Sequence, residues 1–240
     1  MIAVEVAPTF DAWRAQARAC LQAEMAPDSI LWRPEPGTGA QGQQGLFAAS
    51  APPTGSDAPM RSVPQAFMRG ARSLVYHRDA GRFDLLYRML WRLTHGTPHL
   101  LEVAVDPDTR AFRAGVAQVD RDVHKCHAFV RFRQVCGAND SLHYVAWYRP
   151  DHRVLRLAAP HFVQRFHAMR WTILTADESV QYDGKGLLYG AGVPRSEAPS
   201  SDELESLWKV YYAHIFNPAR VKVGAMKQEM PRRYWGTLPE

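Results

Sequence analysis

The sequence predicts an α+β fold, which is a mostly helical single domain with a small, largely antiparallel sheet and a small N-terminal extension. Two long segments, residues 82–95 and 106–135, place apolar side chains every three or four residues, which is the period of an amphipathic helix. Gly184-Lys185-Gly186 predicts the turn of a β-hairpin. Short apolar segments typical of strands span residues 142–148, 171–175, 179–183 and 187–189.

Capping residues set the predicted helix boundaries. A short N-terminal helix is predicted over residues 10–21. The helix over 82–95 ends at Gly96, because glycine accepts the left-handed conformation of a helix end. Asp106 and Pro107 open the next helix as its N-cap and first helical residue. Residues 100–105, just before that helix, are predicted to form a strand.

Three further helices are predicted toward the C-terminus. One follows Asp151 as its N-cap, with a break at Pro160. A second begins at a capping box formed by Ser200 and Glu203, and a third opens at Asn217.

The chain is predicted to have three parts. Residues 1–33 form a small helical segment. Residues 34–64 are rich in Pro, Gly, Ala, Ser and Gln, which is typical of a flexible linker or a long loop. Residues 65–240 form the main domain.

Composition excludes several classes of protein. No apolar run reaches the roughly 18 residues that a membrane span needs, and the N-terminus lacks the basic start and apolar stretch of a secretory signal. Cys20, Cys126 and Cys136 form no Cys-x-x-Cys pair, which favours free thiols in a reducing cytoplasm. Glycine-rich nucleotide-binding motifs are absent, and no cofactor is predicted. The lack of a long apolar run predicts no membrane association.

The charge of the chain is unevenly distributed. The formal net charge is +5, and the positive excess lies after residue 60. A net positive charge over the residues after position 60 favours binding to an anionic partner such as nucleic acid. The abundance of arginine along the whole chain explains the same excess as ordinary surface charge.

One polar stripe on the helix over 106–135 is a candidate catalytic site. Asp120, His124, His127 and Arg131 are spaced four, three and four residues apart, so they line one side of that helix beside its apolar stripe. A carboxylate near imidazoles can orient a general base, and an arginine can bind phosphate. A hydrogen-bonded seam at the edge of the core explains the same spacing. Two histidines alone are too few ligands to predict a metal site.

Basic residues with aromatic neighbours are candidate nucleic-acid contacts, because they can pair with phosphates and stack on bases. The C-terminal group comprises Arg220, Lys227, Arg232, Arg233 and Trp235. The central group comprises Lys125, Arg131, Arg133 and Trp147. A solvated charged face with docked aromatic anchors is the alternative interpretation.

Several long segments together resemble one bacterial protein family. They are YHRDAGRFDLLYRMLWRL (76–93), DVHKCHAFVRFR (122–133), YVAWYRPDHRVLRLAAPHFVQRF (144–166), MRWTILTADES (169–179) and YYAHIFNPARVKVGAMKQEMPRRYW (211–235). Over residues 63–240 the chain is similar to a domain of unknown function described as a probable DNA-metabolism or putative DNA-repair protein. Members of that family are found beside a radical-SAM partner or fused ahead of a uracil-DNA glycosylase of the UdgX type.

The resemblance implies DNA repair as the process, and it carries no catalytic residue over to this chain. The leading hypothesis is a DNA-binding accessory module for damaged or uracil-containing DNA, which acts with a glycosylase or radical-SAM partner. One alternative is an enzyme that acts on nucleic acid or a nucleotide through the polar stripe. The other alternative is a protein-binding adaptor.

Overall fold

A computed structural model describes residues 1–34, 62–136 and 142–197 of the chain. These residues divide into two compact units. The first unit comprises residues 1–123 and 151–154, and the second begins at residue 124 and resumes at residue 155. The secondary structure is mixed α+β, which confirms the predicted fold class.

The first unit begins with a strand–helix–strand motif. Strands β1 (Ile2–Val6) and β2 (Ile30–Pro34) pair in parallel, and helix α1 (Phe10–Gln22) connects them. The Oγ1 atom of Thr9 accepts the N–H of Ala12 at 3.4 Å and caps the helix. The helix was predicted from the sequence, whereas the two strands were not.

Three further helices complete the first unit and begin the second. They are α2 (Gln65–Leu74), α3 (Arg82–Thr94) and α4 (Pro107–Phe129). Gly96 follows α3 with a φ of 100°, which confirms the predicted helix end. The Oδ1 atom of Asp106 accepts the N–H of Thr109 at 3.0 Å, which confirms the predicted cap of α4.

The core of the first unit is apolar and rich in aromatic rings. The strand–helix–strand motif, α2 and α3 all contribute to it, so burial of apolar surface holds residues 1–34 against the two helices. Its largest fully buried side chains are Trp13, Phe67, Phe83 and Tyr87.

The predicted strand over residues 100–105 is wrong. Leu100–Glu102 form a short 3-10 helix, in which the N–H of Val103 donates to the Leu100 carbonyl at 3.1 Å. The hydroxyl of Thr109 donates to the same carbonyl at 2.9 Å. Leu100 is buried while Val103 and Val105 are exposed. The apolar run therefore forms a turn that is anchored in the core by Leu100 alone, and it does not form a strand.

The second unit contains a five-stranded sheet with one helix packed on it. The strand order is β3-β4-β5-β6-β7, with β4 and β5 parallel and the other pairs antiparallel. Its elements are β3 (Arg133–Cys136), β4 (Leu142–Trp147), α5 (Leu155–Arg165), β5 (Trp171–Leu174), β6 (Glu178–Tyr182) and β7 (Leu187–Ala191). Gly184 has a φ of 93° in the hairpin between β6 and β7, as predicted.

Two predicted helix boundaries are also wrong. Helix α4 ends at Phe129 rather than near residue 135, because residues 133–136 pair with β4. Helix α5 begins at Leu155, so Asp151 does not cap it; the Asp151 carbonyl instead accepts Nε of Arg78 at 2.8 Å. Pro160 stands inside α5 without ending it.

Some predictions concern residues for which no structure is described. The helices predicted to begin at Ser200 and Asn217 lie outside the described residues, as do residues 35–61 of the predicted linker. The division into three parts therefore stays a prediction. Within the described ranges, no helix is both long enough and apolar enough to cross a membrane.

Candidate nucleic-acid interface

The four residues of the predicted catalytic stripe lie in different environments. Asp120 and His124 are exposed on α4, and His127 is half-buried. Arg131 follows the helix, and its Nη1 atom donates to the Ala128 carbonyl at 2.6 Å. This arginine therefore binds the carbonyl end of α4, and the catalytic role of the stripe stays a prediction.

His127 packs against a histidine that lies outside the predicted stripe. Its ring stacks on that of His161 from α5, with ring centres 4.1 Å apart and planes at 24°. Burial, and next the charge that His161 can carry, lower the pKa of His127; a hydrogen bond with the Ala158 backbone opposes the shift. Among the described residues, no group of three or more His, Cys, Asp or Glu side chains could hold a metal ion.

Two of the predicted nucleic-acid contacts, Arg133 on β3 and Trp147 at the end of β4, lie on one side of the five-stranded sheet. A third, Lys125, is half-buried on α4. Apart from Arg131, whose contact is given above, the remaining predicted contacts lie outside the described residues; they are Arg220, Lys227, Arg232, Arg233 and Trp235.

The strand register defines the two faces of this sheet. Paired residues share a face and neighbours along a strand alternate, so one row runs through Trp171 and Tyr182, which are both buried. Helix α5 packs on this inner face. We call the opposite side the outer sheet face; its members are half-buried or exposed and include Arg133, His143, Val145, Trp147, Thr172, Gln181 and Leu188.

Polar groups on the outer sheet face are held in place. Nε2 of His143 hydrogen-bonds with Oγ1 of Thr172 across the β4–β5 pair at 2.8 Å. Burial, and next the positive charge of Arg170, lower the pKa of His143. The lowered pKa favours the neutral imidazole, in which one ring nitrogen donates and the other accepts a hydrogen bond.

Trp147 is fixed at the end of β4. Its indole Nε1 donates to the Val193 carbonyl at 3.0 Å, and the guanidinium carbon of Arg195 lies 5.4 Å from the ring centre. An anchored aromatic ring beside a cation is the arrangement that stacks a base next to a phosphate.

The positive excess of the described chain is concentrated in the second unit. The described residues of that unit comprise nine basic and four acidic side chains, a formal net charge of +5. The described residues of the first unit comprise thirteen basic and twelve acidic side chains, a net charge of +1. Arg149, Arg170 and Lys185 are exposed and follow or precede strands, which places positive charge at both ends of the five-stranded sheet.

A polar cluster in the first unit was not predicted from the sequence. The rings of His77 and His152 stack with centres 4.2 Å apart. The Nδ1 atom of His77 accepts the N–H of Asp79 at 3.1 Å, so the ring proton is on Nε2, which lies 2.8 Å from Oε1 of Gln118. Three consecutive polar residues between α2 and α3, His77-Arg78-Asp79, were the sequence signal for this cluster.

The same cluster holds residues 151–154 in the first unit. Asp122 is only 2% exposed, and its Oδ2 atom accepts the backbone N–H of His152 at 2.7 Å. The N–H of Arg153 donates to the Tyr76 carbonyl at 2.9 Å. Because these contacts join backbone to backbone or to a buried carboxylate, we assign the cluster a structural role.

A buried arginine, Arg82, binds backbone carbonyls of the segment between α2 and α3. Arg82 is 4% exposed, and its Nε atom donates to the Val75 carbonyl at 2.8 Å. Burial, and next the charge of Arg153, lower its pKa to about 10, while Asp79 opposes the shift. At pH 7 this guanidinium is still a cation, and backbone carbonyls accept the hydrogen bonds of its Nε and Nη1 atoms.

Comparison with known proteins identifies a family and no function. No curated protein and no solved structure matches the chain. The model of one protein family, DUF4130, a domain of unknown function, matches residues 80–240. Since that match covers more than half of the sequence, the chain belongs to the DUF4130 family.

Proposed function

We propose that this protein is a DNA-binding accessory module in DNA repair, and that its second unit contacts the DNA. The observation that carries the proposal is the charge of that unit, +5 over its described residues against +1 for the first unit. Neutralising phosphates with basic side chains releases counterions from DNA, and this release supplies most of the sequence-independent affinity.

The DNA-repair context and the partners of the module are part of the proposal. The resemblance of five segments between residues 76 and 235 to a putative DNA-repair family supports the process. It also supports a glycosylase or radical-SAM protein as the partner that performs the chemistry. The module itself would hold damaged or uracil-containing DNA near that partner.

Two triple variants with the same change of charge test the proposal. One variant, R149Q/R170Q/K185Q, removes exposed charges of the second unit. Its matched control, R14Q/R18Q/R110Q, removes three exposed charges of the first unit. Binding to single-stranded, duplex and uracil-containing DNA is measured by fluorescence anisotropy from about 50 to 200 mM salt.

We expect affinity for DNA to fall with salt and to fall further in the second-unit variant. The slope of log affinity against log salt should flatten by about 0.7 to 0.9 for each phosphate contact that is lost. The control variant should keep the slope of the unmodified protein. Equal losses in the two variants, or no binding at the lowest salt, would contradict the proposal.

A further inference from the structure

We propose that the outer sheet face binds single-stranded nucleic acid, with Trp147 as the ring on which a base stacks. This inference rests on the proposed DNA binding and specifies the form of nucleic acid that the site accepts. It depends on the width of the sheet, the anchoring of Trp147 and the polarity of the face.

The dimensions of the sheet favour an unpaired strand over a duplex. Five strands spaced about 4.8 Å apart make a surface roughly 19 Å across. The major groove of B-form DNA is about 12 Å wide, so this surface is too wide to enter it. An unpaired strand, in contrast, can lie along a sheet with its bases against the side chains.

The anchoring of Trp147 favours base stacking. The hydrogen bond from its Nε1 to the Val193 carbonyl fixes one edge of the indole, so little side-chain freedom is lost when a base stacks on it. The guanidinium carbon of Arg195 lies over the ring, 5.4 Å from its centre, so a base that stacks there replaces this cation, which can then pair with the phosphate of the stacked nucleotide.

The polarity of the face complements unpaired bases. His143, Thr172 and Gln181 present donors and acceptors that can reach the edges of bases. Among the described strand residues on this face, none is acidic, while Arg133 adds a positive charge. Leu188 is 59% exposed on the same face and offers apolar contact area.

The test compares Trp147 variants on single-stranded and duplex DNA of equal length, with the full chain. We expect W147A to weaken single-strand binding by about 5- to 150-fold, the usual effect of losing one stacked base. The salt slope should stay unchanged, because no phosphate contact is removed. W147F should keep most of the affinity, and W91A, a change to a half-buried tryptophan of the first unit, should keep all of it.

Photocrosslinking of the unmodified protein to a single strand that contains 5-iodouracil provides a second readout, which does not depend on the folding of a variant. We expect the crosslinked peptide to contain Trp147. Duplex binding as tight as single-strand binding, with no effect of W147A and a crosslink outside the outer sheet face, would overturn this inference and leave DNA binding intact. No binding to any DNA at low salt would overturn both proposals.

Discussion

At the scale of single residues, the burial of His127 predicts how the free energy of unfolding depends on pH. Burial lowers the pKa of this histidine below its ordinary value of 6.5, so the unfolded chain binds a proton at a higher pH than the folded protein does. The free energy of unfolding should therefore decrease as the pH falls below about 6.5. H127Q should flatten this decrease by a fraction of the ~1.4 kcal/mol per pH unit that one proton can contribute, since the ring is only half-buried.

Chemical denaturation of both proteins between pH 7.5 and pH 5, at about half-unit steps, measures this slope. H167Q, which removes an exposed histidine of the same unit, is the matched control and should leave the slope unchanged. If H127Q and the unmodified protein lose stability in parallel, His127 does not supply the pH dependence.

The example of His127 also shows how far sequence can predict a site. Helical spacing places it on one side of α4 with His124, as predicted. Its stacking partner, His161, belongs to α5, and the meeting of the two rings depends on how two helices pack. Sequence periodicity contains no information on that packing. Trp147 and Arg133 were predicted as contacts from residue type, and only the strand register shows that they share a face.

At the scale of elements, the crossing of α2 and α4 depends on a glycine. A Cβ atom on Gly70 would clash with Cζ of Phe112, whose ring is buried and stacks on Phe67. Alanine favours a helix by about 1 kcal/mol over glycine, but overpacking a core costs about 1–3 kcal/mol. We expect G70A to lower the free energy of unfolding by up to about 2 kcal/mol, measured by urea denaturation.

A double-mutant cycle separates the clash from other effects. F112L removes the ring that the new methyl group would meet, so G70A/F112L should be less destabilised than the sum of the two single variants by about 0.5–3 kcal/mol. G186A, at a position where an added Cβ has no neighbour within 4 Å, is the control for a glycine replaced without a clash. Additive effects of G70A and F112L would show that the ring does not limit the crossing.

The elements themselves were predictable to different degrees. Helices with a long apolar period and a clear cap, such as α3 and α4, were predicted with start points that the structure confirms. The apolar run at residues 100–105 was assigned to the wrong class, because one buried anchor, Leu100, accounts for it. Strand β3 was read as part of a helix, since its identity depends on pairing with β4, which is a contact between segments.

At the scale of the whole molecule, the fold class follows from the sequence and the division into units does not. Residues 151–154 lie between β4 and α5 of the second unit and yet belong to the first. The bond from the N–H of Arg153 to the Tyr76 carbonyl joins residues far apart in the chain. No local pattern predicts such a bond. The overall excess of positive charge was visible in the sequence, but its concentration in one unit required the fold.

That concentration of charge predicts how DNA changes the thermal stability of the whole protein. A ligand that binds only the folded state stabilises that state by about 2.7 kcal/mol when its concentration is about 100 times its Kd. For a protein of this size, this stabilisation raises Tm by about 5–10 °C. Because the unfolded chain is also basic, with a formal charge of +5, it also attracts DNA and lowers this gain. We therefore expect single-stranded DNA to raise Tm at about 50 mM salt, and this increase should disappear as added salt screens the phosphates.

Scanning fluorimetry measures this increase in Tm. R149Q/R170Q/K185Q should show a smaller increase than R14Q/R18Q/R110Q at the same DNA concentration. A fall of Tm on adding DNA would mean that the folded arrangement of these charges gives no advantage over the unfolded chain.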